Sequence, residues 1–97
     1  MDYSGYIQRV EQYPFSKLSI TIGDREDIYT VLEVWPYGEF RIQVVNKPEL
    51  KETHVHVDSP LGEGVNVEYA FDTKEGAYHF ALRIMDALSQ ASKLWDF

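Results

Sequence analysis

The pattern Pro-x-Gly-Glu occurs twice, in Trp35-Pro36-Tyr37-Gly38-Glu39 and in Ser59-Pro60-Leu61-Gly62-Glu63, each time between runs rich in β-branched and aromatic residues. Proline has its φ preset for the second position of a tight turn, and glycine two residues on accepts a positive φ at little steric cost. The two stretches share no nucleophile and no base, so they read as two copies of one hairpin turn rather than as a repeated active-site motif. A three-residue loop closed by a glycine bulge predicts the register. In the first hairpin Trp35 faces Glu39, Val34 faces Phe40, Leu32 faces Ile42 and Thr30 faces Val44, with Glu33 against Arg41 on the other face. In the second, Val57 faces Val65, Val55 faces Val67 and Thr53 faces Tyr69, while His56 lies against Asn66 and His54 against Glu68. A slip of one residue would set valines against histidines, so alternation protects the faces.

Further strands are read upstream and between the turns. Leu18, Ile20 and Ile22 alternate within KLSITI, the loop GDRED returns the chain to Ile28, and NKPELKE joins the hairpins. The expected fold is α+β: a five-stranded antiparallel meander with strands near 17–22, 28–35, 39–46, 53–58 and 64–71. Residues 72–95 are predicted as a helix. Asp72 and Glu75 have the spacing of a capping box, and Ala77, Phe80, Ala81, Ile84, Leu88, Ala91 and Trp95 form an apolar stripe flanked by Tyr78 and Met85. His79, Arg83, Asp86, Gln90 and Lys93 form the polar side. Ser4 is the expected cap of a short N-terminal helix carrying Ile7 and Val10, ended by Pro14. The chain of 97 residues suits a single domain, comprising an N-terminal segment (1–16), the meander (17–71) and the helix (72–95).

Composition narrows the chemistry. There is no cysteine, so disulfides and thiolate metal sites are excluded. The formal charge is −7, of which −2 falls in residues 1–48 and −5 in residues 49–97. Direct binding of nucleic acid needs clustered Lys and Arg and is not expected; a basic protein partner is. The N-terminus has an acid at position 2 and no apolar stretch, so a signal peptide is not expected. No apolar run approaches the ~20 residues of a membrane span, and a cytoplasmic protein is the expectation. No Walker loop or dinucleotide fingerprint occurs. Asp58-Ser59 beside His56 does not make a triad, because strand neighbours alternate faces and nothing supplies an oxyanion hole.

With the helix on one face of the sheet, the other carries Tyr29, Val31 and Val45, with Tyr29 expected opposite Val45, together with acids and the two histidines. Either Tyr3, Tyr6, Ile7, Val10 and Phe15 fold over it, or it is a surface for a partner or a second copy. Trp35 and Tyr37 are the candidate aromatic anchors. The acids expected to meet a partner are Asp24, Glu26 and Asp27 in the GDRED loop and Glu33, Glu39, Asp58 and Glu68 on the outer face. The one metal-ligating pattern is His54-x-His56 on a strand, Cα atoms about 7 Å apart on one face, with Glu68 as a third ligand. No cofactor and no catalytic residue is expected.

A small, acidic, cysteine-free chain of mixed helix and strand without catalytic motifs resembles phage-encoded anti-defence proteins and toxin-immunity proteins in class and composition, on no specific motif. The functional expectation is a non-enzymatic binding protein that inhibits a basic, nucleic-acid-handling target. The alternatives are a homodimeric accessory domain with Tyr29, Val31 and Val45 at its interface, and a metal-binding protein using His54 and His56.

Overall fold

Along residues 28–34 and 40–46 every second side chain is buried and those between are half-buried or exposed, as the apolar–polar alternation requires. The computed structural model describes residues 1–62 and 66–94. Its elements are α1 (Tyr3–Val10), β1 (Leu18–Ile22), β2 (Ile28–Val34), β3 (Gly38–Lys47), a 3-10 turn (Pro48–Leu50), β4 (Glu52–Asp58), β5 (Val67–Phe71) and α2 (Lys74–Leu94). Among the described residues five strands form one antiparallel sheet in sequence order, so the fold is the expected α+β meander. Ile28, Leu32 and Val34 of β2, Phe40, Ile42 and Val44 of β3, and Val55 and Val57 of β4 are buried beneath α2. Each such side chain contributes about 1.5–3 kcal/mol by leaving water. No helix of the described residues is long and apolar enough to cross a membrane.

Both hairpins close two residues away from the expected register. In the first, Tyr37 N–H donates to the Val34 carbonyl at 2.7 Å, the Trp35–Pro36 peptide is cis, and Val34 pairs with Gly38. Proline therefore stands third in the turn rather than second. Leu32 faces Phe40, Thr30 faces Ile42 and Tyr29 faces Gln43; Glu33 faces Glu39 instead of Arg41. In the second, Val57 pairs with Val67, His56 with Glu68, Val55 with Tyr69 and His54 with Ala70. Glu63, Gly64 and Val65, which include the expected partner of Val57, lie outside the described residues. A shift of two leaves every side chain on its own face, so the core survives while the pairs change. Gly38 and Gly62 both have positive φ, at 115° and 131°, as the turn reading requires. The two turns also meet: a Cβ on Gly38 would stand 3.2 Å from Pro60 Cβ.

Helix ends differ by one or two residues from the sequence reading. Asp2, not Ser4, caps α1, its Oδ1 accepting from Gly5 N–H at 2.9 Å. Thr73, not Asp72, caps α2, its hydroxyl accepting from Gly76 N–H at 3.1 Å. The most buried line of α2 runs through Ala77, Tyr78, Ala81, Leu82 and Met85, with Phe80, Ile84 and Leu88 at its margin. Trp95 lies outside the described residues.

The N-terminal segment does not cover the outer face of the sheet. It packs on the α2 side. Tyr6 and Val10 are fully buried, the Tyr6 ring stacks on Tyr78 with centroids 4.8 Å apart, and Tyr13 O–H donates to the Leu82 carbonyl at 3.1 Å. A stacked aromatic pair adds about 0.5–1.5 kcal/mol to the burial of its rings. Burial raises the Tyr6 and Tyr13 phenols, that of Tyr13 to about 12 with the Asp86 carboxylate adding to the effect, so both dock uncharged.

Candidate functional site

Alternate side chains of β2, β3 and β4 enter the helix-side core, and Leu18 and Ile20 of β1 and Phe71 of β5 pack at its margin. Ile22, Val67 and Tyr69 are exposed, and the intervening side chains of all five strands make the outer face. Three rows cross its middle. Thr21, Tyr29, Gln43, His56 and Glu68 lie side by side on β1 to β5; Ser19, Val31, Arg41 and Asp58 form the row toward the Pro-x-Gly turns; Val45, His54 and Ala70 form the row toward the GDRED loop. Tyr29 is 40% exposed, and Val31 and Val45 are half-buried. Tyr29 and Val45 are diagonal neighbours rather than a direct pair.

At the turn end, Trp35 is 59% exposed and Tyr37 is exposed beside it. Glu33 and Glu39 face each other directly across β2 and β3, and both are exposed. Like charges directly opposite destabilise a sheet. Arg41 Nη2 relieves only Glu39, at 3.9 Å. Asp58 lies opposite Arg41 across β3 and β4, and a groove of about 300 Å³ runs between Glu39, Arg41, Asp58, Ser59 and Pro60. Five of the expected partner-binding residues, Glu33, Trp35, Tyr37, Glu39 and Asp58, are thus gathered at one end of the sheet.

Asp24, Glu26 and Asp27 stand at the other end, a β2 length of about 20 Å away. There the chain's own cations answer the acids. Lys74 Nζ is 3.4 Å from Glu26, and the N-terminal amine is 3.3 Å from Glu75. Asp27 is turned inward, only 8% exposed. Its Oδ1 accepts from Asn46 N–H at 2.9 Å, while Asn46 Nδ2 donates to the Arg25 carbonyl at 2.6 Å and Thr53 Oγ1 to Asn46 Oδ1 at 3.3 Å. That network ties the GDRED loop to β3 and β4, so Asp27 is part of the scaffold rather than of an exposed acidic surface. Asp24 is exposed.

The histidine cluster lies in the middle of β4 and β5. Alternation puts Glu52, His54 and His56 on one face, and β5 brings Glu68 opposite His56. The Glu68 side chain leans diagonally, its Oε1 2.7 Å from His54 Nδ1 and 3.6 Å from His56 Nε2. Glu52 Oε1 is 3.2 Å from His54 Nε2. His54, only 9% exposed, is held between two carboxylates that together favour its protonated form: hydrogen bonding to Glu68, then to Glu52, raises its pKa above the usual value. The reciprocal bond from His54 lowers that of Glu68. Glu52 was not a candidate on sequence grounds, although Glu-x-His-x-His on a strand is the pattern that places it there. His79 lies on the exposed side of α2 and takes no part. No family model, curated protein or solved structure matches the chain.

Proposed function

We propose that the protein is a non-enzymatic binding module that antagonises a basic, nucleic-acid-handling protein. It seats the corner formed by Glu33, Trp35, Tyr37, Glu39 and Asp58 in a groove built for phosphates. The observation that carries this reading is the direct opposition of Glu33 and Glu39 beside exposed Trp35. The pairing costs the isolated fold a few tenths of a kcal/mol, and a cationic partner surface removes that cost. The net charge of −7 supplies long-range steering toward such a surface, and Trp35 supplies the apolar anchor that converts encounter into residence. Anti-defence and toxin-immunity proteins are the functional types to which this corresponds.

The test compares capture by immobilised wild type with capture by a Glu33→Lys/Glu39→Lys variant, at about 50 mM and about 300 mM salt. Nucleic-acid-binding proteins retained at low salt by wild type, released at high salt and not retained by the variant are expected. Capture indifferent to both salt and charge reversal rejects the reading. The homodimer alternative draws on the uncovered Tyr29, Val31 and Val45. Sedimentation separates the two, since a monomer at high concentration leaves the outer face available to a different protein.

A further inference from the structure

We propose that His54, His56 and Glu68 form a binding site for a divalent transition-metal ion of the zinc class, with Glu52 as the carboxylate that orients His54. One ligand atom from each of the three residues lies within 4.8 Å of the other two. Around a tetrahedral ion with bonds of about 2.0–2.1 Å, ligand atoms stand about 3.3 Å apart. Reaching that spacing means widening the 2.7 Å between His54 Nδ1 and Glu68 and drawing His56 inward, adjustments that side-chain rotation at half-exposed Glu68 and at His56 can supply, since both histidines already share one face of β4 with ring centroids 6.4 Å apart.

The second carboxylate distinguishes this cluster from an accidental ion pair. Metal-bound histidines donate their other ring N–H to a carboxylate or carbonyl, which sets the tautomer and the ring plane. Glu52 stands at that position on His54 Nε2, leaving Nδ1 pointed at Glu68. An ion entering between Nδ1 and the Glu68 oxygen takes the place of the proton they share. Two imidazole nitrogens and one carboxylate oxygen select zinc-class ions over calcium or magnesium, which prefer oxygen alone. With three protein ligands on an uncovered sheet face, the fourth position points outward, to water or to a side chain of a bound partner. The site is separate from the Glu33/Trp35 corner and stands or falls without it.

The test uses the full chain without an affinity tag, stripped with EDTA and titrated with Zn²⁺ by calorimetry, with the histidine ring signals followed by NMR. One Zn²⁺ per chain is expected, with the rings of His54 and His56 shifting and that of His79 unmoved. His56→Ala and Glu68→Gln each weaken binding by about tenfold or more, Glu52→Gln weakens it by about 10–100-fold through His54, and His79→Ala leaves it unchanged. His56 and Glu68 are not core residues, so these variants keep the fold, which circular dichroism checks. Absence of saturable binding overturns the proposal. So does binding that survives both His56→Ala and Glu68→Gln, or that shifts His79 instead.

Discussion

Replacing Asp27 by alanine tests whether the GDRED loop is a scaffold or an exposed acidic arm. The Asp27 carboxylate stands where the β2–β3 ladder would otherwise end: Ile28 pairs with Val44, and the next free donor on β3 is Asn46 N–H. Glu26, with φ of 61°, has already turned the main chain away, so a side-chain oxygen substitutes for the missing carbonyl. Removing it leaves a buried N–H without an acceptor, which costs about 1–3 kcal/mol. The Arg25–Asp27 ion pair, 3.5 Å long with Arg25 largely exposed, adds at most a few tenths. The bond from Gly23 N–H to the Asp27 carbonyl persists, so the loop keeps one tie. A total near 2 kcal/mol corresponds to a fall in Tm of roughly 8–16 °C for a domain of this size. Asp27→Asn keeps an acceptor and should lose less than about 1 kcal/mol. Urea unfolding supplies the free energies, and hydrogen exchange at the Asn46 amide supplies the local readout. An alanine variant within about 0.5 kcal/mol of wild type, with that amide still protected, would refute the reasoning.

Gly38→Ala should cost about 1–2 kcal/mol and Gly62→Ala less, because both impose positive φ on alanine but only Gly38 also meets Pro60; equal losses in urea melts would show that the contact between the turns is unimportant. Glu33→Gln should raise stability by a few tenths of a kcal/mol by relieving Glu39, while weakening partner capture; a destabilised variant would contradict the like-charge reading. In metal-free protein the pair formed by His54 and Glu68 stabilises the fold most between the ordinary values of the two groups, 4.5 and 6.5. The His54 pKa is raised, so its contribution is complete below 6.5 and is lost as pH rises through the folded value. The Glu68 pKa is lowered, so its contribution is present above 4.5 and is lost as pH falls through the folded value. Glu52 strengthens the effect at His54 and Lys47 opposes it. Thermal melts from pH 4 to 9 should show His54→Gln with a flatter alkaline limb than wild type, and identical limbs would remove His54 from the account.

Alternation of apolar and polar residues was enough to assign faces. Val34, Phe40, Leu32 and Ile42 are buried as their spacing requires, and the two Pro-x-Gly turns place the strands in a meander closed by a helix. Pairing was not legible in the same way. Side chains repeat every two residues, so a hairpin can shift by two and keep all of its faces; the donor that closes the turn, Tyr37 N–H on Val34, decides between registers. That shift is what sets Glu33 against Glu39 and removes the expected Glu33–Arg41 pair. His54 and Glu68 meet even though they are not opposite, because a glutamate is long enough to cross the diagonal from its place beside His56.

Composition and periodicity by themselves determined that this chain is an antiparallel sheet with one greasy face under a terminal helix, and that two histidines and several acids share the other. Tertiary structure alone decided where the N-terminal helix went. Its stripe of Tyr6, Ile7 and Val10 matches either face of the sheet by pattern, and contacts with α2 give it a specific seat: the ring of Tyr78 under Tyr6, Glu75 beside the N-terminal amine, and the Leu82 carbonyl that holds Tyr13 just past the helix. The same step decided that Asp27 is interior and Glu33 is not. Burial of a polar group depends on which distant donor arrives beside it, and that information is carried by contacts between segments rather than by any one of them.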